Sequence, residues 1–255
     1  MAIQIHEVNY DFAKLPQRIE RKFYVLQENL DFAYGLLRHL CRQSKDYPQE
    51  YINSLYFDTP DLDQHEKSDS GDFRKDKVRI RWYGREIPAA GTLPVYLELK
   101  SRQGFASAKQ RQKFEVPVEN LASSRLRDGI LPYNVLKDTL SGFGYLPPEP
   151  LQPVIRISYY RSRFCEILSG QVVALDRRIC STLVMPGLGF QEPDLALPGG
   201  VIELKSRSLE IPLSLRKMRL LDLDWSRFSK YSACLDAHAE KPGTDDRFSP
   251  SGKRI

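Results

Sequence analysis

The chain has 255 residues, 41% of them hydrophobic, which is enough for one sizeable core. Lysine and arginine number 38 against 33 acidic residues, a formal net charge of +5; the signs are interleaved, which favours an anionic partner and excludes a polycationic block. The four cysteines, at 41, 165, 180 and 234, form no CxxC pair, and no apolar run has the length of a membrane span or the layout of a signal peptide; the reading is a soluble cytoplasmic protein with reduced thiols and no zinc site.

In chain order, residues 18–25 alternate so that Arg18, Glu20, Lys22 and Tyr24 share one face and Ile19, Phe23 and Val25 the other. Residues 29–43 follow at helical spacing, with Leu30, Ala33, Tyr34, Leu37, Leu40 and Cys41 on a stripe that needs an apolar surface to cover. Residues 51–58 predict a strand, closed by Thr59-Pro60, a cap and first-turn proline that open a short helix with a solvated His65 near its end. Residues 77–83 set Lys77, Arg79, Arg81 and Tyr83 opposite Val78, Ile80 and Trp82. Arg79 and Arg81 are either two half-exposed arginines or a pair of guanidinium forks for an oxyanion. A loop at 86–94 leads to the strand bearing Glu98-Leu99-Lys100-Ser101-Arg102, and residues 110–116 then place Arg111, Lys113 and Glu115 opposite Phe114 and Val116.

Two short helical patterns occupy 119–144, and the segment 145–153, with four prolines, is a connector that divides the chain into halves. A long strand at 154–164 carries Ile155, Ile157, Tyr159, Arg161 and Arg163 on one face. Residues 171–176 are a further strand, 186–200 a Gly/Pro loop, and Glu203-Leu204-Lys205-Ser206-Arg207 repeats the earlier pentapeptide letter for letter. Either copy alone reads as a strand with its charges in water. Leu213, Leu215, Met218 and Leu221 predict one closing helix and 228–235 another, before a polar tail at 241–255 that is expected to be disordered. The domain is thus expected over residues 1–240.

So many strands with one apolar and one charged face, accompanied by helices with apolar stripes, point to an α+β protein: an antiparallel β-barrel of about eight strands with short helices packed outside and the charged faces turned inward. Like charges in such a tunnel repel, and an elongated polyanion with divalent cations would relieve them. Nucleic acid ranks last as a partner, because glutamates alternate with the cations on the same faces. The histidines at 6, 39, 65 and 238 are scattered, which argues against a His-based triad.

Taken together, RIERKFYV, NSLYFDTPDL at 53–62, KVRIRWYG at 77–84, the first LELKSR, the KF pair at 113–114, YYRSRF at 159–164, VALDRRI at 173–179, the second IELKSR and RFSKY at 227–231 resemble the VTC domain over about residues 17–236. This is the polyphosphate polymerase branch of the triphosphate tunnel metalloenzyme (CYTH-like) superfamily. The resemblance implies a tunnel that grips a chain of phosphates through Lys22, Arg79, Arg81, Lys100, Lys113, Tyr159, Arg161, Lys205, Ser229 and Lys230. It implies Mn2+ or Mg2+ on Glu203, with Glu20 and Glu98 as further candidates. ATP and polyphosphate or tripolyphosphate would be the substrates, and a separate membrane protein a conceivable partner. Two positions depart from the pattern: Arg18 replaces the first glutamate of the ExExK strand of hydrolase members, and Val172 stands where polymerase members carry an arginine, with Arg177 or Arg178 as candidate substitutes. Three functions stay open: a metal-dependent polymerase moving the ATP gamma phosphate onto polyphosphate, a tripolyphosphate or nucleoside triphosphate hydrolase, and a non-catalytic polyphosphate-binding module.

Overall fold

Period-two alternation gives each strand an apolar and a charged face, and the two faces end in different environments. The computed structural model describes residues 19–104, 106–185, 194–206, 211–221, 225–226 and 228–239. Arg18, Arg207, Arg227, most of the 186–200 loop and the 241–255 tail lie outside the described residues. The strands are β1 Ile19–Val25, β2 Cys41–Gln43, β3 Gln49–Asp58, β4 Arg74–Tyr83, β5 Thr92–Gln103, β6 Ala106–Pro117, β7 Gln152–Glu166, β8 Val172–Leu183, β9 Leu195–Ala196, β10 Gly200–Ser206 and β11 Trp225–Ser226. The helices are α1 Leu30–Leu40, α2 Asp63–Asp69, α3 Tyr133–Gly142 and α4 Lys230–Ala239.

All the strands belong to one antiparallel sheet, ordered β11-β1-β10-β8-β7-β3-β4-β5-β6, with β2 on β7 and β9 on β8. The sheet is curled, and among the described residues its two ends are not joined by backbone pairing. The proline connector does not separate two halves: β3 pairs with β7 across it, and β1 pairs with β10 from the far end of the chain.

The apolar faces point outward and are covered. Phe23, Val25, Ile202, Leu204, Val173, Leu175 and Phe164 pack under α1 through Leu30, Ala33, Leu37 and Leu40, and under the helical turn Ser214–Leu221 through Leu215, Met218 and Leu221. Leu213, expected on that stripe, is exposed instead. On the other flank Leu55, Val78, Ile80, Trp82, Leu97 and Leu99 pack under α3 and the turns Val118–Leu121 and Ser123–Asp128.

The helix expected to reach residue 43 ends at Leu40, because Cys41–Gln43 pair with Phe164–Glu166 as β2. The helix after β3 does not start with Pro60 in its first turn; it begins at Asp63 behind a left-handed Leu62, with the Thr59 hydroxyl accepting from the amide of Asp63 at 3.0 Å and the Asp58 carboxylate from the amides of Thr59, Gln64 and His65. His65 is not solvated, since its Nε2 lies 3.2 Å from Asp236. The last helix is also misplaced by the expectation of helices outside only. α4 lies against the concave face, where Tyr231 stacks on Tyr56 at 5.0 Å and donates to Asp58 at 2.6 Å, and Cys234 and Leu235 pack with Ile155, Ile157 and Ile179.

Gly199 and Gly200 admit β10 between β1 and β8. Gly199 has φ +91°, and a Cβ at Gly200 would press on the carbonyl of Asp176, so neither position has room for a side chain. That close approach fixes the register that sets Glu203 opposite Lys22 and Ala174.

Candidate active site: a cation-lined concave face

Ladder partners point to the same side of a sheet, so register alone collects the charges. Lys22 is paired with Glu203, Glu20 with Lys205, Arg79 with Glu98 and Tyr56, Arg81 with Ser54, Lys77 with Lys100, and Arg161 with Asp176. All of these face the concavity. Side chains also join strands that are distant in the sheet: Lys100 Nζ of β5 donates to Glu20 Oε2 of β1 at 2.5 Å, and Lys77 Nζ of β4 donates to Ser229 Oγ beside α4 and to Ser68 Oγ of α2, each at 2.7 Å. The curled sheet is thus bridged by charge where backbone pairing stops.

Two carboxylate hubs organise the cations. Arg161 holds Asp176 through Nε and Nη2, both at 2.6 Å, and reaches Glu203 at 2.7 Å, while Lys230 lies 2.8 Å from Glu203 and 2.5 Å from Asp176. Burial pushes the Glu203 carboxyl up, but Arg161 and Lys230 outweigh it and hold the group well below the usual carboxylate range. Lys230 is lowered by burial and raised more strongly by Asp176 and Glu203, so it stays protonated. The second hub is Glu98, fully buried, with Arg79 at 2.7 Å, Lys109 at 2.6 Å, Arg111 at 3.3 Å and Arg81 at 3.8 Å. Burial again raises it, and Arg79, Arg81 and Lys109 again win. Tyr56 and Tyr159 hydroxyls accept from Arg79 at 3.1 Å and Arg81 at 3.3 Å, so both guanidinium groups are aimed before any ligand arrives.

Between the hubs the lysines outnumber the carboxylates beside them: Lys100 takes Glu20, and Lys77 meets the hydroxyls of Ser68 and Ser229. Burial, joined by the charges of Lys22 and Lys100, lowers Lys77 well below the ordinary lysine value. Burial lowers Lys22 to about 8, with Glu20 opposing and Lys100 assisting. Lys205 is lowered for the same first reason, although Glu203 and its ladder partner Glu20 oppose. Lysines crowded until their charged forms are disfavoured make a site that gains from an anion.

Of the expected grip, Lys22, Arg79, Arg81, Lys100, Tyr159, Arg161, Lys205, Ser229 and Lys230 are brought together here. Lys113 is not: it shares the concave side as the partner of Tyr96, but it lies at the exposed edge and pairs with Glu115 at 2.7 Å. Glu98, a candidate metal ligand, has four cations around it, which argues for an orienting role in place of metal binding. Val172 faces the concavity opposite Lys205 and is 46% exposed. Neither suggested arginine substitutes for it. Arg177 turns outward to lie 4.3 Å over the Tyr34 ring, and Arg178 is the extra residue of a bulge with φ +53°, after which Ile179 takes the inner face. The residues overlooked by sequence reasoning are Lys77, Lys109 and Asp176. Lys77 and Lys109 follow from the same alternation as Arg79 and Arg111, whereas Asp176 becomes visible only through its pairing with Arg161.

Among the described residues no three His, Cys, Asp or Glu side chains stand together as a ready metal cage. The donors fit a hard cation that arrives with phosphate oxygens, for which one or two carboxylates suffice. Glu203 and Glu20 are close enough for each to sense the other's charge.

A curled antiparallel sheet with a cation-rich concave face, crossed by the Lys100–Glu20 ion pair, is the class of fold the chain presents. The VTC domain family model matches residues 17–238, and the chain belongs to that family. A search of curated proteins finds no significant match. Among solved structures, a Hippeastrum protein assigned as an adenylyl cyclase and described as having a dominant triphosphatase activity aligns with 16% identity over 88% of this chain and 98% of its own, at a TM-score of 0.49. A Bacillus halodurans protein assigned as an adenylate cyclase aligns with 15% identity over 91% of this chain and 99% of its own, also at 0.49. At this similarity neither carries an activity to this chain.

Proposed function

We propose that this protein is a metal-dependent phosphotransferase that moves the gamma phosphate of ATP onto a polyphosphate chain held on the concave face. The observation that carries the reading is the cluster of Lys22, Lys77, Lys100 and Lys205, the first three half-buried and the last exposed, left in excess of their carboxylates between two hubs that aim Arg79, Arg81 and Arg161. Phosphoryl transfer asks little of a protein beyond alignment of the oxygens and neutralisation of charge. Arg79 and Arg81 would grip phosphates in the ground state. Lys22, Lys77 and Lys100 would neutralise the terminal group, and Ser229 would orient Lys77. Glu203, helped by Glu20, would hold Mn2+ or Mg2+, which supplies further neutralisation of phosphate oxygens when bound.

Hydrolysis of tripolyphosphate or a nucleoside triphosphate is the second reading, favoured by one feature: among the described residues the sheet is not closed by backbone pairing, and Lys109, Arg111 and Lys113 line an exposed edge through which water has access. Incubation with ATP and Mn2+ or Mg2+, followed by resolution of the products by length, separates the readings. Chains longer than three phosphates support the polymerase, inorganic phosphate without chain growth supports the hydrolase, and unchanged ATP with tight polyphosphate binding leaves the binding module.

A further inference from the structure

The exposed edge of the concave face carries a cluster that gripping phosphate does not require. The Arg111 guanidinium of β6 lies 3.5 Å from the centroid of the Tyr96 ring of β5. Its Nη2 donates to the hydroxyl of Tyr83 on β4 at 2.9 Å, and the two tyrosine rings meet edge to face at 5.7 Å. The Arg111 side chain remains 37% exposed. Planar aromatic and guanidinium groups held together at an open edge offer faces for another flat ring, and nucleobases use such faces without needing edge-specific hydrogen bonds.

The cluster is continuous with the phosphate grip. Tyr96 is the ladder partner of Arg81, and Glu98, two residues along, ties Arg111 to Arg79. Two residues further stands Lys100, partner of Lys77. Four residues of strand from Tyr96 to Lys100 cover about 13 Å, comparable with an extended nucleoside triphosphate from its base to its last phosphate.

We propose that Tyr83, Tyr96 and Arg111 form a nucleobase platform, so that a nucleoside triphosphate enters with its base on this edge, its inner phosphates at Arg79 and Arg81, and its terminal phosphate at Lys77 and Lys100. The assignment rests on the phosphate-tunnel reading above and adds to it the part of the substrate that is not phosphate. Because stacking dominates, purines are preferred over pyrimidines by ring area, and guanine and adenine are scarcely separated.

Calorimetric titration of ATP, CTP and inorganic tripolyphosphate against the parent, Tyr96→Leu and Arg111→Lys tests it. Tyr96→Leu keeps apolar bulk and removes the ring face, and Arg111→Lys keeps a charge for Glu98 and removes the plane. A base stack is worth about 1–3 kcal/mol, so each variant should bind ATP about fivefold or more weakly while tripolyphosphate affinity holds within about twofold. CTP should lose less than ATP. If ATP is unchanged, or if ATP and tripolyphosphate weaken together, the platform is overturned and the tunnel stands as long as the parent still binds tripolyphosphate. A parent that binds neither ligand overturns both.

Discussion

Lys22 illustrates how burial at one residue becomes a property of the site. Its ammonium donates to the carbonyl of Phe228 at 3.1 Å, and burial brings its pKa from 10.5 to about 8. In the ligand-free protein the folded state therefore gives up this proton across a range in which the unfolded chain keeps it. Stability should rise as pH climbs from about 8 towards 10.5, and the cost of the buried charge is fully present below 8. A bound polyanion favours the charged form, so tripolyphosphate affinity should instead fall as pH rises through about 8. Thermal denaturation without ligand and calorimetry with it, both across pH 7 to 10, check these opposite slopes; parallel slopes would contradict them.

Glu203 is the second residue whose role the geometry sharpens. Since it neutralises Arg161 and Lys230 inside the fold, Glu203→Gln leaves buried cations uncompensated and should cost about 3–5 kcal/mol of stability in the ligand-free protein. The same excess charge should hold or tighten tripolyphosphate binding while turnover with Mn2+ or Mg2+ is lost. Wild-type turnover would contradict its role. At Val172, which faces the concavity opposite Lys205, Val172→Arg should tighten polyphosphate binding at matched ionic strength; unchanged affinity would mean that a cation at that position does not reach the ligand.

At the scale of elements, α1 and α4 do different work. α1 covers the outer face with Leu37, which is fully buried, so Leu37→Ala should lower stability by about 2–5 kcal/mol and leave tripolyphosphate affinity unchanged. α4 carries Lys230 into the site and is fastened by Tyr231 to Asp58 and by Asp236 to His65. Tyr231→Phe removes the hydroxyl and should weaken both stability and binding, because the helix that positions Lys230 loses an anchor. Denaturant titration paired with calorimetry distinguishes the two helices. The outer helix was legible because its apolar stripe has helical period. The placement of α4 was not, since it is amphipathic in an uncommon sense: its first residue binds carboxylates while Cys234 and Leu235 meet an apolar part of a concavity that charge alternation presented as wholly polar. Alternation puts Ile155 and Ile157 on the same face as Arg161, and that shared face is the signal for an apolar patch inside the concavity.

For the whole molecule, the charged interior was readable because alternation in separate strands, with no knowledge of their pairing, already fixes which side chains share a face. Lys22, Arg79, Arg81, Lys100, Arg161 and Glu203 share the concave face for that reason, whereas Lys230 arrives there on α4. What alternation cannot encode is position across the sheet. Lys113 lies on the expected face yet on the edge strand, the bulge at Arg178 resets the phase of β8, and Asp176 is seen as a hub only when β7 and β8 are in register. The same ladder order makes the central claim testable on one pair of proteins. Tripolyphosphate should bind the parent with one-to-one stoichiometry and an affinity that falls with salt, and Arg79→Ala, whose lost charged hydrogen bonds are worth about 1.5–3 kcal/mol, should bind it roughly tenfold or more weakly. Absence of binding to the parent, or equal affinity for Arg79→Ala in the same calorimetric titration, would contradict the assignment of the concave face as a phosphate tunnel.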